Sequence, residues 1–497
     1  MQTSNPLWLA IDQGTQSSRA AVINDQGELL EVCQVPVSLD RISESEIEQD
    51  GVEIIESVWQ AIGQVLSAVD KSQIVAAGMA TQRSSVIAWD RRSGNPLSNV
   101  ISWQDVRGRE FVESLGKKTG KRIQQRSGLP LSPHYGASKI RWLLETLRYS
   151  KNIKVEEADV CIGPLASFLL FSLIEGKTVC QVDHANGGRT QLMNFERRDW
   201  DDDLLNWFGI PKSILPVARP THFEFGRLSG TEIPFRVCQG DQTAAVFGYG
   251  NLTAGTAHVN LGTGGFVLSP VGDLDHVREH EQLPLLISLA DSNEHNADYF
   301  LEGTINGAGS AIKWAAKHFG LASVESNLDA WAEETKLPPL FYNSVGGVGS
   351  PIWSANPAAK LANQWFDQNL VPIPMENLSA NEAMVGVLES IVFLVVMNID
   401  SMRELDVKPS TLRLSGGLTA SRSLCQKLAD LTSCRVVLPE EAESTLLGVA
   451  RLLALSSDSG ESGTETSSDD GTVFEPIANR LLQKRYQLFQ RLMLEAA

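Results

Sequence analysis

Cysteine is scarce in this sequence of 497 residues: Cys33, Cys161, Cys180, Cys238, Cys425 and Cys434 are widely spaced, with no CxxC and no metal-like pairing with any of the eight histidines. A disulfide framework and a zinc site are therefore not expected, and reduced thiols in a cytosolic protein follow. Basic charge is short as well, 42 Lys and Arg against 60 Asp and Glu, a formal net charge of −18. Such a charge repels nucleic acid and anionic membranes unless a local patch reverses it. The densest basic cluster, Lys117, Lys118, Lys121 and Arg122, reads as one solvated helix face. Long apolar runs are also missing: Ile391 to Met397 lies between Glu389 and Asp400 and is too short to span a bilayer. Met1 to Pro6 is polar and short, without a basic region before an apolar stretch, so no signal peptide is expected. The expectation is a cytoplasmic protein without nucleic-acid or membrane partners.

What is present is enough chain for two cores, since single cores stop growing below this length, and 42% hydrophobic residues to fill them. Leu7 to Ile11 is an apolar run ending in Asp12-Gln13-Gly14-Thr15, and Arg19 to Ile23 resumes a strand pattern. From Glu46 to Val69 the apolar positions recur at helical spacing, and Ile74 to Met79 reads as a buried strand. Strands and helices alternate, which predicts an α/β fold. The opening pattern returns at Ala257 to Leu261, Gly262-Thr263-Gly264-Gly265 and Phe266 to Leu268. This predicts a duplicated domain with a boundary near Gly250. Further on, Gly303 to His318 reads as a glycine-rich helix entry, Ala380 to Leu405 as a long buried helix, and Leu412 to Leu414 as a strand before Ser415-Gly416-Gly417. The predicted parts are 1–250, 251–455, an acidic flexible loop at 456–475 and a terminal helix at 476–497.

Three glycine-rich corners follow strands. At Asp12 to Arg19 a tight turn aims backbone N–H groups and hydroxyls into one concavity that suits phosphate oxygens; Asp12 could hold Mg²⁺ through water, and Arg19 adds positive charge. An ordinary hairpin turn would use the same residue types. Gly262 to Gly265 and Ser415 to Gly417 let a phosphate approach the backbone closely, the latter at a helix start. Gly240-Asp241-Gln242 sits between a strand and a helix. Asp241 there is either a helix cap or a carboxylate that accepts a proton from an attacking hydroxyl.

Taken in order, Leu9-Ala10-Ile11-Asp12-Gln13-Gly14-Thr15, Gln82-Arg83, Trp103-Gln104-Asp105, Gly240-Asp241-Gln242, Leu261-Gly262-Thr263-Gly264, Leu301-Glu302-Gly303, Ser415-Gly416-Gly417 and Glu443-Ser444-Thr445-Leu446-Leu447-Gly448 resemble the FGGY carbohydrate kinases, with the glycerol kinases the most similar group among them. The resemblance implies an α/β, duplicated, actin-like (ribonuclease-H-type) two-domain fold with an interdomain cleft. It implies ATP-dependent phosphorylation of a small sugar or polyol with Mg²⁺. Asp241 would be the general base, and Arg83, Ser84, Trp103, His134 and Gln242 would join it around the acceptor. Thr15, Gln16, Ser17, Arg19, Thr263, Gly264, Gly309, Lys313, Gly417 and Ser421 would contact the nucleotide, and Asp12 would serve the metal. A homo-oligomer is compatible with this reading.

Four positions depart from the pattern of the glycerol kinases. Arg83 is followed by Ser84 where they have Glu, so a carboxylate that would grip substrate hydroxyls is missing. His134 stands at the aromatic position, with Tyr135 beside it. Ser421 replaces an Asn, and Gln16 replaces a hydroxyl. Three readings are open: a kinase for a sugar or polyol, glycerol kinase proper included; an actin-like ATPase serving a partner; and a catalytically silent relative. Only the first uses Arg83, Trp103 and the Asp241-Gln242 pair together with the phosphate turns.

Overall fold

The computed structural model describes residues 6–149, 156–176, 179–280, 283–322, 324–353, 361–439, 443–456 and 471–495. The chain divides into two compact units: Met1–Asn251 with Ile287–Asp298 and Glu441–Ser468, and Leu252–Leu286 with Tyr299–Glu440 and Asp469–Ala497. A single cut near Gly250 therefore misplaces two segments. Ile287 N–H donates to Gly128 O at 2.9 Å and Gln239 Nε2 to Ala290 O at 3.0 Å, which ties the 287–298 segment to the first unit.

The first unit is built on strands β1 (Leu7–Gln13), β2 (Ser17–Asn24), β3 (Leu29–Pro36), β4 (Ile74–Thr81), β5 (His222–Arg227) and β6 (Pro234–Gly240), in the sheet order β5-β6-β4-β1-β2-β3. β1 pairs antiparallel with β2 and parallel with β4, and β4 pairs parallel with β6. All seven residues of β1 are buried, as a central strand covered on both faces must be. The helix Gly51–Ser67 turns Ile54, Val58, Ala61, Ile62 and Val65 to the core. It starts later than its apolar period because Ile47–Gln49 is a strand and Asp50 caps the helix, accepting from Val52 N–H at 2.7 Å. A second core joins Val86, Ala88, Ile101 and Ile162 to the helix Gly136–Tyr149 through Ile140, Leu143 and Leu144.

The helix Ser444–Leu455, predicted within the second half, lies on the first unit against β1, β4 and the helix Asp241–Phe247. Glycines make that approach: a Cβ on Gly448 would sit 1.8 Å from Ala244 O, and one on Gly248 would sit 2.1 Å from Ser444 O. Gly448→Ala is expected to cost about 1–3 kcal/mol or more, since backbone rather than a flexible side chain must move, and thermal unfolding measures it.

In the second unit, β7 (Thr256–Leu261), β8 (Gly265–Pro270), β9 (Ala297–Ile305), β10 (Thr411–Ser415), β11 (Arg435–Pro439) and β12 (Gly471–Phe474) run in the order β9-β8-β7-β10-β11-β12. β7 pairs antiparallel with β8, β8 antiparallel with β9, β7 parallel with β10 and β10 parallel with β11. Strand for strand this repeats β1, β2, β3, β4 and β6, the ribonuclease-H-type pattern twice in one chain. Gly303 lies inside β9, and the helix after it begins only at Gly309. Of the predicted acidic loop, 457–470 lies outside the described residues; Gly471–Phe474 is strand, paired antiparallel with β11.

The 25-residue helix Ala380–Glu404 is the long buried helix expected there; it is long and apolar enough to cross a membrane by length and composition alone, and 94% of its apolar window is buried. It is a core helix, packed against Gly309–Phe319, Arg422–Thr432 and Arg480–Glu495. All six cysteines are buried and unbridged. Lys117, Lys118, Lys121 and Arg122 are exposed on the helix Gly116–Ser127.

Candidate active site

Asp12 and Gln13 belong to β1 itself, and the tight turn is Gly14 to Gln16, where Gly14 N–H donates to Ser17 O at 2.9 Å. Asp12 is 2% exposed. Burial raises its carboxyl to about pKa 6 against the pull of Arg19, with Asp241 and Glu443 pushing further upward. Asp12 thus feels two other carboxylates, and shares Arg19 with one of them, Glu443. Both terminal nitrogens of Arg19 are engaged, Nη2 with Asp12 and Nη1 with Glu443 Oε2 at 2.6 Å. Arg19 was predicted as a cation for phosphate; here it balances the acid groups. Glu443 arrives from 424 residues along the chain; it opens the last motif of the resemblance, but nothing in the sequence pairs it with Arg19.

Asp241 is not a helix cap. Gly240 occupies the N-cap position, and Asp241 is the first helical residue, its Oδ1 accepting from Gln242 N–H at 2.7 Å. The carboxylate is partly exposed, and Oδ1 lies 3.9 Å from Arg83 Nε. Glycine is needed at 240, because a Cβ there would meet Arg83 Cδ at 2.7 Å. Ser84 follows in a left-handed backbone conformation, φ 67°, which any residue but glycine adopts at some cost.

Trp103 is half-buried, and its indole Nε1 donates to Thr15 Oγ1 at 2.9 Å. The predicted acceptor wall and the predicted phosphate turn are thereby joined directly. A buried glutamine relay reinforces the joint. Gln82 Nε2 reaches Gln13 Oε1 at 3.1 Å and Gln49 Oε1 at 2.9 Å, Gln49 Nε2 donates to Thr15 O at 2.9 Å, and Ser85 Oγ links Gln82 Oε1 to Trp103 N–H, both at 2.9 Å. Gln49 and Ser85 carry no motif signal. Their role comes from the fold. Gln16 is exposed, and Ser17 Oγ accepts from Gln34 Nε2 at 3.1 Å. His134 is exposed, whereas Tyr135 is buried with the Arg189 guanidinium 5.2 Å from its ring, so 134 is the surface-facing position of the two. Although part of the residue reaches the surface, desolvation around the His134 ring, with the charge of Lys139, lowers its pKa, leaving it neutral near pH 7.

On the second unit two of the residues expected at the nucleotide, Gly309 and Ser421, make hydrogen bonds within the protein. Gly309 N–H donates to Gly262 O and Ser310 N–H to Thr263 O, each at 2.9 Å, so this helix start spends its amides on the glycine turn. Glycine at 309 permits the approach, since a Cβ would meet Gly262 O at 2.7 Å. Ser421 is buried and caps the helix Arg422–Thr432: its hydroxyl donates to Asp329 Oδ1 at 2.6 Å and accepts from Leu424 N–H at 3.2 Å. Asp329 also accepts from Arg422 and Ser423 N–H, so a carboxylate already holds the place an anion would take at that helix start. Between β10 and that helix, Gly417 to Ala420 is a single 3₁₀ turn. Thr263, Lys313 and Gly417 are exposed, and Gly264 is half-buried. A Cβ on Gly417 would meet nothing within 4 Å, while Gly416, at φ 92°, packs on Leu261 O.

The N-terminal domain of the FGGY family of carbohydrate kinases matches residues 7–248, and its C-terminal domain matches residues 257–457. Among curated relatives, glycerol kinase from Rippkaea orientalis is 33% identical over 89% of this chain and 87% of its own. Glycerol kinase from Thermococcus gammatolerans is 32% identical over 94% and 93%. Two solved structures share the fold: Plasmodium falciparum glycerol kinase with ADP (TM-score 0.85, 24% identity, 99% and 98% covered) and gluconate kinase from Lactobacillus acidophilus (TM-score 0.82, 18% identity, 99% and 97% covered). The chain belongs to the FGGY family of carbohydrate kinases, ATP-dependent phosphotransferases that act on an alcohol group of a small sugar or polyol.

Proposed function

We propose that this chain moves the terminal phosphoryl group of ATP to a hydroxyl of a sugar or polyol larger than glycerol, in the cytoplasm, with Asp241 as the base. The observation that carries this is the placement of Asp241: first in its helix, partly exposed, beside Arg83 and within electrostatic reach of Asp12. The acceptor oxygen forms its bond to phosphorus as the bond to the ADP oxygen breaks, and the hydroxyl proton passes to Asp241. Arg83, Trp103 and Gln242 orient the acceptor, and Thr15 and Ser17 offer hydroxyls to phosphate. Thr263, Gly264 and Gly417, on turns of the second unit, and Lys313, on its helix Gly309–Phe319, would contact the nucleotide.

Asp12 suits Mg²⁺. Among the described residues no three His, Cys, Asp or Glu side chains gather into a cage for a metal, and Mg²⁺ needs none, since it binds through one or two carboxylates plus water and phosphate. When bound, it neutralises charge on the phosphate oxygens.

An ADP-release assay over polyols, aldoses and ketoses tests the reading, and no turnover with any of them would overturn it. Ser84 is smaller than Glu and cannot accept two charge-assisted hydrogen bonds, so glycerol is expected to rank below a longer acceptor. Ser84→Glu is expected to raise kcat/KM for glycerol by about one to two orders of magnitude. If the wild type already prefers glycerol over every larger acceptor, the chain acts as a glycerol kinase.

A further inference from the structure

Lys139 is wholly buried in the helix Gly136–Tyr149, among the largest fully buried side chains of the protein. An ammonium has three donors and no acceptor. Lys139 Nζ donates all three to backbone carbonyls: Ser84 O at 3.2 Å, Ser102 O at 2.9 Å and His134 O at 2.8 Å. Each carbonyl lies on a different loop, and each loop carries a proposed acceptor contact: Arg83 and Ser84, Trp103, and His134. No described carboxylate pairs with the ammonium directly; Asp105 favours its charge from farther off and Arg107 opposes it. An apolar side chain would fill the same volume without burying a charge. What the ammonium adds is a three-way grip on loops distant in sequence.

We propose that Lys139 is the positioning residue of the acceptor site, setting the spacing of the loops at Ser84, Ser102 and His134 and through them the placement of Arg83 and Trp103. Its consequence for catalysis rests on the acceptor reading above; the grip itself does not.

Burial holds the Lys139 pKa down at about 7, with Asp105 working upward and Arg107 downward. The grip is therefore complete below that pH and weakens as pH rises through it, when a neutral amine turns a lone pair toward three carbonyl oxygens. The other titratable groups on the segments around it are Arg83, Asp105, Arg107, Arg109 and His134. Of these, His134 has its pKa lowered and stays neutral, and Arg107, against the effect of burial, has its pKa raised by Asp105 and Glu48.

The test pairs two measurements on the full chain with Lys139→Met. Amide hydrogen exchange in the ligand-free protein is expected to accelerate about tenfold or more at residues 84–86, 102–104 and 134–136 while β1 and β4 are unchanged. In kinetics, KM for the acceptor that ranks first in the panel, or for glycerol if none ranks above it, is expected to rise about 10- to 100-fold with KM for ATP unchanged. The wild type's acceptor KM is expected to climb above about pH 7, and the variant's to stay flat. Unchanged exchange in the three loops, acceleration spread evenly over the first unit, or a joint rise in both KM values would overturn the proposal. Should the variant not fold, a wild-type acceptor KM that is flat from about pH 6 to 9 overturns it equally. A panel with no turnover at all sinks the kinase reading and leaves the exchange result to decide the grip.

Discussion

Asp241→Asn is expected to lower kcat by a factor on the order of 10²–10⁴ while KM for ATP changes by less than about twofold. Asparagine keeps the shape of the side chain and loses the basic oxygen, so the hydroxyl proton has nowhere to go at the moment the acceptor oxygen attacks. The fold gives no reason for wider damage. Gly240 holds the cap position, and the amide oxygen of an asparagine can still accept from Gln242 N–H as Asp241 Oδ1 does, so the helix survives the change. Arg83 loses a neighbour 3.9 Å away, but its stem remains packed over Gly240. Single-turnover phosphoryl transfer separates the chemical step from product release. A mutant that turns over at a near-normal rate removes Asp241 from the mechanism.

The largest expected effect on stability lies in the second unit, at Glu389. Its carboxylate is 2% exposed and takes two hydrogen bonds from Arg485, Nη2 at 2.6 Å and Nε at 2.9 Å, and one from Lys427 Nζ at 3.0 Å. Arg485 is equally buried. The cluster ties Ala380–Glu404 to the helices Arg422–Thr432 and Arg480–Glu495. Glu389→Ala leaves a guanidinium and an ammonium without their carboxylate, which costs about 3–5 kcal/mol and lowers Tm by roughly 6–20 °C. Glu389→Ala with Arg485→Met and Lys427→Met is expected to recover most of that loss, because the penalty belongs to the stranded charge rather than to a missing bond. A triple variant as unstable as the single one would refute the argument.

Most of the strands and the duplication were legible because their signals are local. β1 and β7 are apolar runs closed by glycine turns, β4 is an apolar run, and the helix Gly51–Ser67 follows its 3.6-residue period. The start of that helix was not legible, since a period cannot tell that Ile47–Gln49 would be taken as a strand. Asp241 and Arg83 stand in a recognisable order along the chain, yet the glycine at 240 that lets them meet explains itself only in three dimensions. Ser421 is expected at the nucleotide because the resemblance aligns it with an Asn; that its hydroxyl meets Asp329, in a separate helix, is visible only in three dimensions. Glu443 and Gln49 act through partners dozens to hundreds of residues away, and Lys139 joins a neighbour, His134, to two distant loops. Spacing along one chain holds no record of them.

Glu443 also bears on how the protein is made. Every proposed acceptor contact lies before residue 243, but the partner of Arg19 and the helix that covers β1 and β4 come at 443–455. At a synthesis rate of about 5–20 residues per second, the 424 residues from Arg19 to Glu443 take on the order of 20–90 s to emerge. During that interval the nascent first unit lacks the helix that covers β1 and β4, and Arg19 lacks its second carboxylate. Such a chain depends on chaperone cover rather than on its own early folding. A message cut short after the first family domain would yield a polypeptide bearing the base and the acceptor contacts, aggregation-prone and without the clamp that seats them.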